Sequence, residues 1–157
     1  MVYFIICIGI IILDFCVKYW ARLSLSQVNT IPLWENVFHF TYVENRGAAF
    51  GILQNQRLFF LVLGIVALIV IGYATYKYKN RSLWMSLGLT FLSAGAVGNM
   101  IDRIFLGYVV DFLDFRLIDF PVFNIADIFV CTGAAMVAIF IVFIEEKQKK
   151  EQTSDES

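Results

Sequence analysis

The sequence predicts an α-helical integral membrane protein with four transmembrane helices and a small extracytoplasmic β-sheet. Of the 157 residues, 60% are hydrophobic and only 16% are charged, whereas a soluble domain is about half apolar and about a quarter charged. The mean hydropathy is +0.76, and the apolar residues are grouped in long runs. The chain therefore has too little polar surface for a water-soluble globule.

Four apolar runs have the length of a membrane-spanning helix, which needs about 20 residues to cross a bilayer core about 30 Å thick. Residues 58–76 and 82–101 carry no charge, and residues 124–144 carry only Asp127. The first run, residues 2–21, contains two charges and lacks a basic start, which argues against a cleaved signal peptide. We expect four retained helices over these runs.

Basic residues occupy two short segments that set the orientation: Lys77, Lys79, Arg81, Lys147, Lys149 and Lys150. The positive-inside rule places both segments in the cytoplasm. Both termini are then cytoplasmic, and the longer connections 22–57 and 102–123 lie outside. We expect residues 1–144 to form one membrane-embedded domain and the polar residues 145–157 to form a disordered cytoplasmic tail.

The first outer connection has the pattern of a surface sheet. Residues 37–43 alternate in part between aromatic or β-branched and polar side chains, which predicts a strand. Residues 45–51 are small and flanked by glycine, which suits a close approach of the backbone to another chain. We expect residues 28–53 to form an outer cradle on the membrane surface.

Composition also narrows the possible cofactors and partners. The net charge of −1 does not suggest a nucleic-acid partner, and the sequence contains no HExxH motif of a zinc protease. Three cysteines, Cys7, Cys16 and Cys131, lie in apolar runs without a CxxC spacing. They predict buried free thiols and no disulfide or zinc site.

Several polar residues at membrane depth each have a purely structural explanation. Asp14 and Lys18 share a helix face and can form an ion pair, with a substrate contact as the alternative. Asn99 and Arg103 also share a face, and Arg103 could simply extend to the interface beside Asp102. A further alternative is a capping box, because an Asn at position 124 precedes an acidic residue at the start of an apolar run.

These explanations are weaker for the acidic residues taken together. Asp102, Asp111 and Asp127 fall at one depth, Asp14 joins them if the first helix runs outward, and few basic residues balance them. Ionisable groups inside a membrane are usually functional. Three functions stay open on these residues alone: an acid–base pair that activates water, a site for Mg²⁺ or Ca²⁺, and a proton relay in a transporter.

Five motifs in order along the chain resemble the bacterial lipoprotein signal peptidases (signal peptidase II). They are Asp14-x-x-x-Lys18, Asn45-Arg-Gly-Ala-Ala-Phe50, Gly98-Asn-Met-Ile-Asp-Arg103, Val109-Val-Asp-Phe112 and Phe123-Asn-Ile-Ala-Asp127. The resemblance runs from the first helix to the fourth. Each motif is short, but the five together are highly specific.

This resemblance implies a membrane aspartyl endopeptidase that removes signal peptides from prolipoproteins by cleaving before a diacylglyceryl-modified cysteine. Asp111 and Asp127 match the catalytic pair. The residues expected to line the substrate site are Asn99, Arg103, Asn124, Asn45, Asp14 and Lys18. Supporting positions are Gly98, Ala126 and Asp102, the last expected to orient the neighbouring arginine.

The resemblance further implies that the protein lies in the bacterial cytoplasmic membrane, with its active site near the outer face. We expect it to act as a monomer on lipid-modified prolipoproteins, in contact with membrane lipids and without a metal or other cofactor. The alternative is a small proton-coupled transporter, which would also bury acidic residues and would form a dimer. Such a transporter would not need an aromatic outer sheet or acids gathered at one interface.

Overall fold

A computed structural model describes residues 1–48, 52–78 and 82–144 of the chain. Within these ranges, four helices have the length and composition to cross a membrane, as predicted. They are α1 (Val2–Leu25), α2 (Arg57–Lys77), α3 (Leu83–Phe105) and α4 (Ile125–Ile139), and α4 is continued by a π-helical turn over Phe140–Ile144. The predicted tail, residues 145–157, and the basic residues Lys79 and Arg81 lie outside the described residues.

Two helices extend further than the apolar runs that predicted them. Helix α1 continues from residue 21 to Leu25, and α3 continues past residue 101 to Phe105. Asp102 and Arg103 therefore lie in the last turns of α3 and not in the outer connection where the sequence placed them. Polar residues are compatible with a helix, and hydropathy alone underestimates the length of a helix that ends in a polar layer.

Three antiparallel strands form a small sheet, in the order β1-β2-β3. Strand β1 (Thr30–Trp34) and strand β2 (Phe38–Asn45) come from the predicted cradle, whereas β3 (Val109–Phe115) was not predicted as a strand. Strand β3 follows α3 after Gly107, whose φ of +85° favours glycine. Pairing with β2 sets Asp111 opposite Val43.

Helix α3 lies at the centre of the bundle and contacts α1, α2 and α4. Small residues on α3 let its neighbours approach closely. A Cβ atom added at Gly95 would collide with the carbonyl oxygen of Ala126. One added at Gly98 would lie 2.6 Å from Asp14 Oδ2 and 3.3 Å from Ala126 Cβ. The glycines thus bring α1 and α4 together beside the same turn of α3.

The sheet packs against the end of α1. Buried Leu25 and Phe112 belong to one apolar cluster, and Phe40 is in edge-to-face contact with Trp20 of α1 at 5.5 Å between ring centroids. His39 is buried in the sheet, with its Nδ1 atom 3.2 Å from Thr30 Oγ1. The sheet is thereby fixed to the end of the bundle that carries the polar motifs.

The cysteines are free thiols, as predicted, but the prediction that all are buried was wrong. Cys16 and Cys131 are exposed on the surface of the bundle, and Cys7 is partly exposed. A lipid-facing position is as apolar as a buried one. Sequence pattern alone therefore cannot distinguish the two environments in a membrane helix.

Candidate active site

A layer of buried polar side chains crosses the bundle where the helices meet the sheet. Asp14, Lys18, Asp102, Asp111 and Asn124 are each at most 7% exposed. They come from α1, α3, β3 and the residue before α4. Buried polar groups are costly unless they are paired, so the partners of each one indicate what the layer does.

Lys18 is the only basic residue of this set, and its ammonium group makes three contacts. The Nζ atom lies 2.8 Å from Asp14 Oδ2, 3.1 Å from Asp102 Oδ2 and 2.9 Å from Asn99 Oδ1. The predicted ion pair with Asp14 is thus present. Since an ammonium group has three N–H donors, Lys18 has none left for a further ligand.

Each of the three side chains that accept a hydrogen bond from Lys18 also makes a hydrogen bond to α4 or to β3, the elements that carry Asp127 and Asp111. Asp14 Oδ1 accepts a hydrogen bond from the backbone N–H of Ala126 at 2.9 Å. Asp102 Oδ2 accepts one from the N–H of Val110 at 3.1 Å. Asn99 Nδ2 donates to Asp127 Oδ1 at 2.7 Å. Lys18 is therefore linked, through one residue in each case, to the start of α4 and to β3.

Asn124 caps α4 and also contacts the site. Its Oδ1 atom accepts from the backbone N–H of Asp127 at 3.0 Å, and its own N–H donates to Asp127 Oδ2 at 3.2 Å, which completes the predicted capping box. Its Nδ2 atom donates to Asp111 Oδ1 at 2.6 Å and to Asn99 Oδ1 at 3.2 Å. Asn124 thus both caps α4 and bridges the carboxylates of Asp111 and Asp127.

Asp111 is held on β3 by two amide groups. Besides Asn124, Asn45 Nδ2 donates to Asp111 Oδ2 at 2.9 Å, and Asn45 Oδ1 accepts from the N–H of Gly47 at 3.0 Å. The pKa of the Asp111 carboxyl is raised from its ordinary value of 3.8 to about 7, chiefly by burial and also by the nearby charge of Asp127, while the two amide donors oppose the shift. Asp111 therefore titrates near neutral pH.

Both carboxylates line a cavity of about 530 Å³. The other polar side chains that line the cavity are those of Asn45, Asn99, Arg103 and Thr132. The rest of the wall is mostly apolar and comes from the segment after β2, from β3, from the segment before α4 and from α4 itself: Gly47, Ala48, Val109, Phe120, Pro121, Val122, Phe123, Ile128, Val130 and Cys131. Such a lining suits a ligand that is mostly apolar with one polar group to be held in place.

The guanidinium of Arg103 lies at the side of this cavity. Its Nη2 atom donates to the carbonyl of Gly47 at 3.2 Å, and its Nη1 atom is 3.4 Å from the carbonyl of Asn99. Its Cζ atom is 4.8 Å from the centre of the Phe60 ring, a cation–π contact. These contacts leave N–H donors of Arg103 available for a ligand.

The structure brings the predicted site residues together in two groups. Asn45, Asn99, Arg103, Asp111 and Asp127 line the cavity. The other predicted residues lie behind this cavity: Asp14, Lys18, Gly98, Asp102, Asn124 and Ala126. Among them, Lys18 and Asn124 contact the first group directly. Within the described residues, Asp102 pairs with Lys18 and forms no ion pair with Arg103, contrary to the expectation that it orients this arginine.

Two groups that hold Arg103 in place were not identified from the sequence. The carbonyl of Gly47 and the ring of Phe60 hold Arg103, and neither a backbone atom nor one aromatic residue in an apolar run gives a signal in the sequence. Among the residues described, no group of three His, Cys, Asp or Glu side chains is arranged to hold a metal ion.

Comparisons with known proteins agree on one family. The sequence profile of the family described as "Signal peptidase (SPase) II" matches residues 6–143. The lipoprotein signal peptidase of Clostridioides difficile (strain 630) is 46% identical over 149 residues, which are 95% of this chain and 100% of the relative. That of Caldanaerobacter subterraneus subsp. tengcongensis is 46% identical over 135 residues, which are 85% of this chain and 91% of the relative.

Solved structures agree with the sequence comparison. A bacterial membrane enzyme determined by the in meso method at 2.3 Å has a TM-score of 0.81 and 32% identity, covering 95% of this chain and 91% of the solved one. A second, at 1.9 Å, has a TM-score of 0.82 and 33% identity, covering 90% and 93% respectively. From its sequence and its fold, this chain belongs to the signal peptidase II family.

Proposed function

We propose that this protein is a membrane aspartyl endopeptidase that removes the signal peptide from diacylglyceryl-modified prolipoproteins by cleaving before the lipid-bearing cysteine. One observation carries the proposal: Asp111 and Asp127 line the same largely apolar cavity and are bridged by the side chain and backbone of Asn124. Membership of the signal peptidase II family supports the substrate class.

Two carboxyl groups in one site share a single proton near neutral pH, because both cannot ionise cheaply at short range. Burial raises the pKa of Asp111 to about 7, which favours Asp111 as the holder of this proton. Asp127 lies in the first turn of α4, where the helix dipole favours a negative charge. Asp127 is therefore the better candidate for the base.

In the proposed reaction, the Asp127 carboxylate takes a proton from water while the water oxygen bonds to the scissile carbonyl carbon. Asp111 donates its proton to the carbonyl oxygen, which gives a tetrahedral diol. The proton held by Asp127 then passes to the amide nitrogen, the C–N bond breaks, and a diol proton returns to Asp111. The products are a free carboxylic acid and an amine, and the dyad regains one proton.

Arg103 and Asn99 have different roles in this proposal. Arg103 retains free N–H donors and lies at the side of the cavity, so it binds backbone carbonyls of the substrate. Both ends of the Asn99 amide are already bonded, to Lys18 and Asn124 at Oδ1 and to Asp127 at Nδ2. Asn99 is therefore a residue that positions Asp127 while it lines the cavity.

We further propose that the cavity faces the outer side of the cytoplasmic membrane, with both termini in the cytoplasm. The exposed Lys77 at the far end of α2 from the sheet supports this orientation through the positive-inside rule. A substrate anchored by its diacylglyceryl group would present its cleavage point at this depth, with its acyl chains in contact with membrane lipids. Because one chain supplies both carboxylates and the cavity, a monomer suffices.

A cleavage assay with matched peptides tests the proposed substrate. Purified protein in detergent is incubated with a signal peptide whose cysteine carries diacylglycerol and with the same peptide unmodified, and the products are identified by mass spectrometry. We expect cleavage before the cysteine of the lipidated peptide only. Equal cleavage of both peptides would refute the requirement for lipid, and intact lipidated peptide would refute the proposed function.

A further inference from the structure

A second cavity, of about 400 Å³, lies between α1 and α3 near the sheet. Its walls are apolar or aromatic and come from Phe15, Tyr19, Ile101, Phe105 and Leu106, and Lys18 and Asp102 lie at its polar side. It shares no lining residue with the cavity that contains the two carboxylates. We call it the α1–α3 groove.

Arg22 is the feature of this groove that indicates a ligand. It lies in the last turn of α1, lines the groove and is half-buried. The described part of the chain gives its guanidinium no hydrogen bond or ion pair, whereas Arg46, Arg57, Arg103 and Arg116 each have at least one. Because the described residues supply this half-buried guanidinium with no hydrogen bond or ion pair, its N–H donors are available to an anion from outside the chain.

The surroundings of Arg22 restrict the chemistry of this anion. A membrane position and an apolar wall require a ligand with a hydrocarbon part, and the guanidinium fits a phosphate with two parallel hydrogen bonds. An anionic phospholipid supplies both. The lipid group of a diacylglyceryl-modified cysteine carries no phosphate and gives no reason for a guanidinium at this point.

We propose that the α1–α3 groove binds one anionic phospholipid from the leaflet on the sheet side. Its phosphate contacts Arg22, and one acyl chain lies against Phe15, Ile101 and Phe105. The same chain covers the side of the groove where Lys18 and Asp102 form their ion pair.

Competition between two lipids tests the proposal by binding alone, independently of peptidase activity. The protein in detergent is mixed with equal amounts of dioleoyl phosphatidylglycerol and dioleoyl phosphatidylcholine, and retained lipid is counted by native mass spectrometry. We expect one phosphatidylglycerol to be retained in about ten-fold preference, equivalent to about 1.4 kcal/mol. A wild-type protein that retains both lipids equally overturns the proposal without any variant.

Three variants test whether Arg22 is the source of the preference for phosphatidylglycerol. Arg22→Gln should lose it, and Arg22→Lys should keep most of it, because an ammonium still attracts phosphate. Lys77→Gln is the matched control, because it removes one positive charge from the exposed end of α2, and it should bind like the wild type. If Lys77→Gln lost the preference for phosphatidylglycerol while Arg22→Gln kept it, the lipid would bind elsewhere and the proposal would be wrong. Displacement by millimolar glycerol phosphate would show a phosphate site that does not need the acyl chain.

Discussion

Asn45 shows how a single side chain can set the pH range of this site. Its Nδ2 atom donates to Asp111 at 2.9 Å, and this bond favours the ionised carboxylate and lowers the Asp111 pKa against the effect of burial. Its Oδ1 atom is bound to the Gly47 N–H, which fixes the orientation of the amide. Asn45 thus counteracts part of the rise in the Asp111 pKa that burial causes.

The pH dependence of activity follows from this balance. If catalysis needs one proton on the pair, kcat/KM should be bell-shaped, and its alkaline limb should fall as the pH rises through about 7, where Asp111 loses its proton. Asn45→Ala removes a bond to the ionised form, so the Asp111 pKa rises and the alkaline limb moves to higher pH. A pH–rate profile of both proteins checks this, and a limb that moves to lower pH would contradict it.

Lys18 illustrates why a buried ion pair matters more than an exposed one. Lys18→Met would leave Asp14 and Asp102 buried without a countercharge, and breaking a buried pair in this way costs about 3–5 kcal/mol. We expect a large fall in the thermal unfolding temperature in detergent. The matched control Lys77→Met, at an exposed position, should unfold like the wild type.

A double variant distinguishes lost charge from lost packing at Lys18. Lys18→Met with Asp102→Asn removes one of the uncompensated charges, so part of the lost stability should return. If the double variant were no more stable than Lys18→Met alone, the ion pair would not be the source of the stabilisation.

At the scale of secondary structure, the close approach of α1, α3 and α4 depends on Gly98. Gly98→Ala would set a Cβ atom 2.6 Å from Asp14 Oδ2, so Asp14 must move away from Lys18 or the Ala126 N–H. We expect a loss of about 1–3 kcal/mol, as for other overpacked positions, together with slower turnover because the start of α4 carries Asp127.

Gly72→Ala is the matched control for Gly98→Ala. Gly72 is also helical, and a Cβ atom there would meet nothing within 4 Å. Alanine is more favourable than glycine in a helix by about 1 kcal/mol, so Gly72→Ala should be neutral or stabilising. Thermal unfolding and kcat of the two variants check this pair. If both substitutions changed the unfolding temperature and kcat equally, the close contact at Gly98 would not be the cause of the destabilisation.

The helices of this fold could be predicted from sequence because four apolar runs leave few alternatives. Strand β3 was missed, because the sequence analysis predicts no strand within the connection 102–123, whereas Val109–Phe115 pairs with β2. Its β-branched and aromatic residues, Val109, Val110, Phe112 and Phe115, were a usable signal. Helix ends were missed where charged residues continue the helix, as at Asp102 and Arg103.

The site could be predicted as a set of residues but not as a network. The motifs brought Asp111, Asp127, Asn99 and Arg103 together because their order along the chain matches a family. The contact between Lys18 and Asn99 joins residues 81 positions apart, and no local pattern encodes it. For the same reason, the sequence assigned Asp102 to Arg103, its neighbour in the chain, when its partner lies on α1.

At the scale of the whole molecule, the sheet and the polar layer lie at one end of a four-helix bundle, so the function depends on orientation. We expect reporter fusions after residues 80 and 150 to behave as cytoplasmic and a fusion near Asn55 to behave as external, as the positive-inside rule requires. Alkaline phosphatase and green fluorescent protein activities check this. The reverse pattern would place the cavity on the cytoplasmic side.

We propose that Asp111 and Asp127 cleave the lipidated substrate without a metal. The most direct measurement is the rate at which the diacylglyceryl-cysteine peptide appears, in excess EDTA, with the wild type and three single variants. Asp111→Asn and Asp127→Asn preserve side-chain shape but remove the shared proton, so both should be inactive although folded. Asp119→Asn is the matched control, because Asp119 has a φ of +48° that asparagine also adopts.

We predict full turnover for the wild type and Asp119→Asn in EDTA and none for the other two variants. Activity in Asp111→Asn or Asp127→Asn would contradict the proposed dyad. A wild-type rate that is lost in EDTA and restored by Mg²⁺ or Zn²⁺ would contradict the aspartyl mechanism in favour of a metal-assisted one.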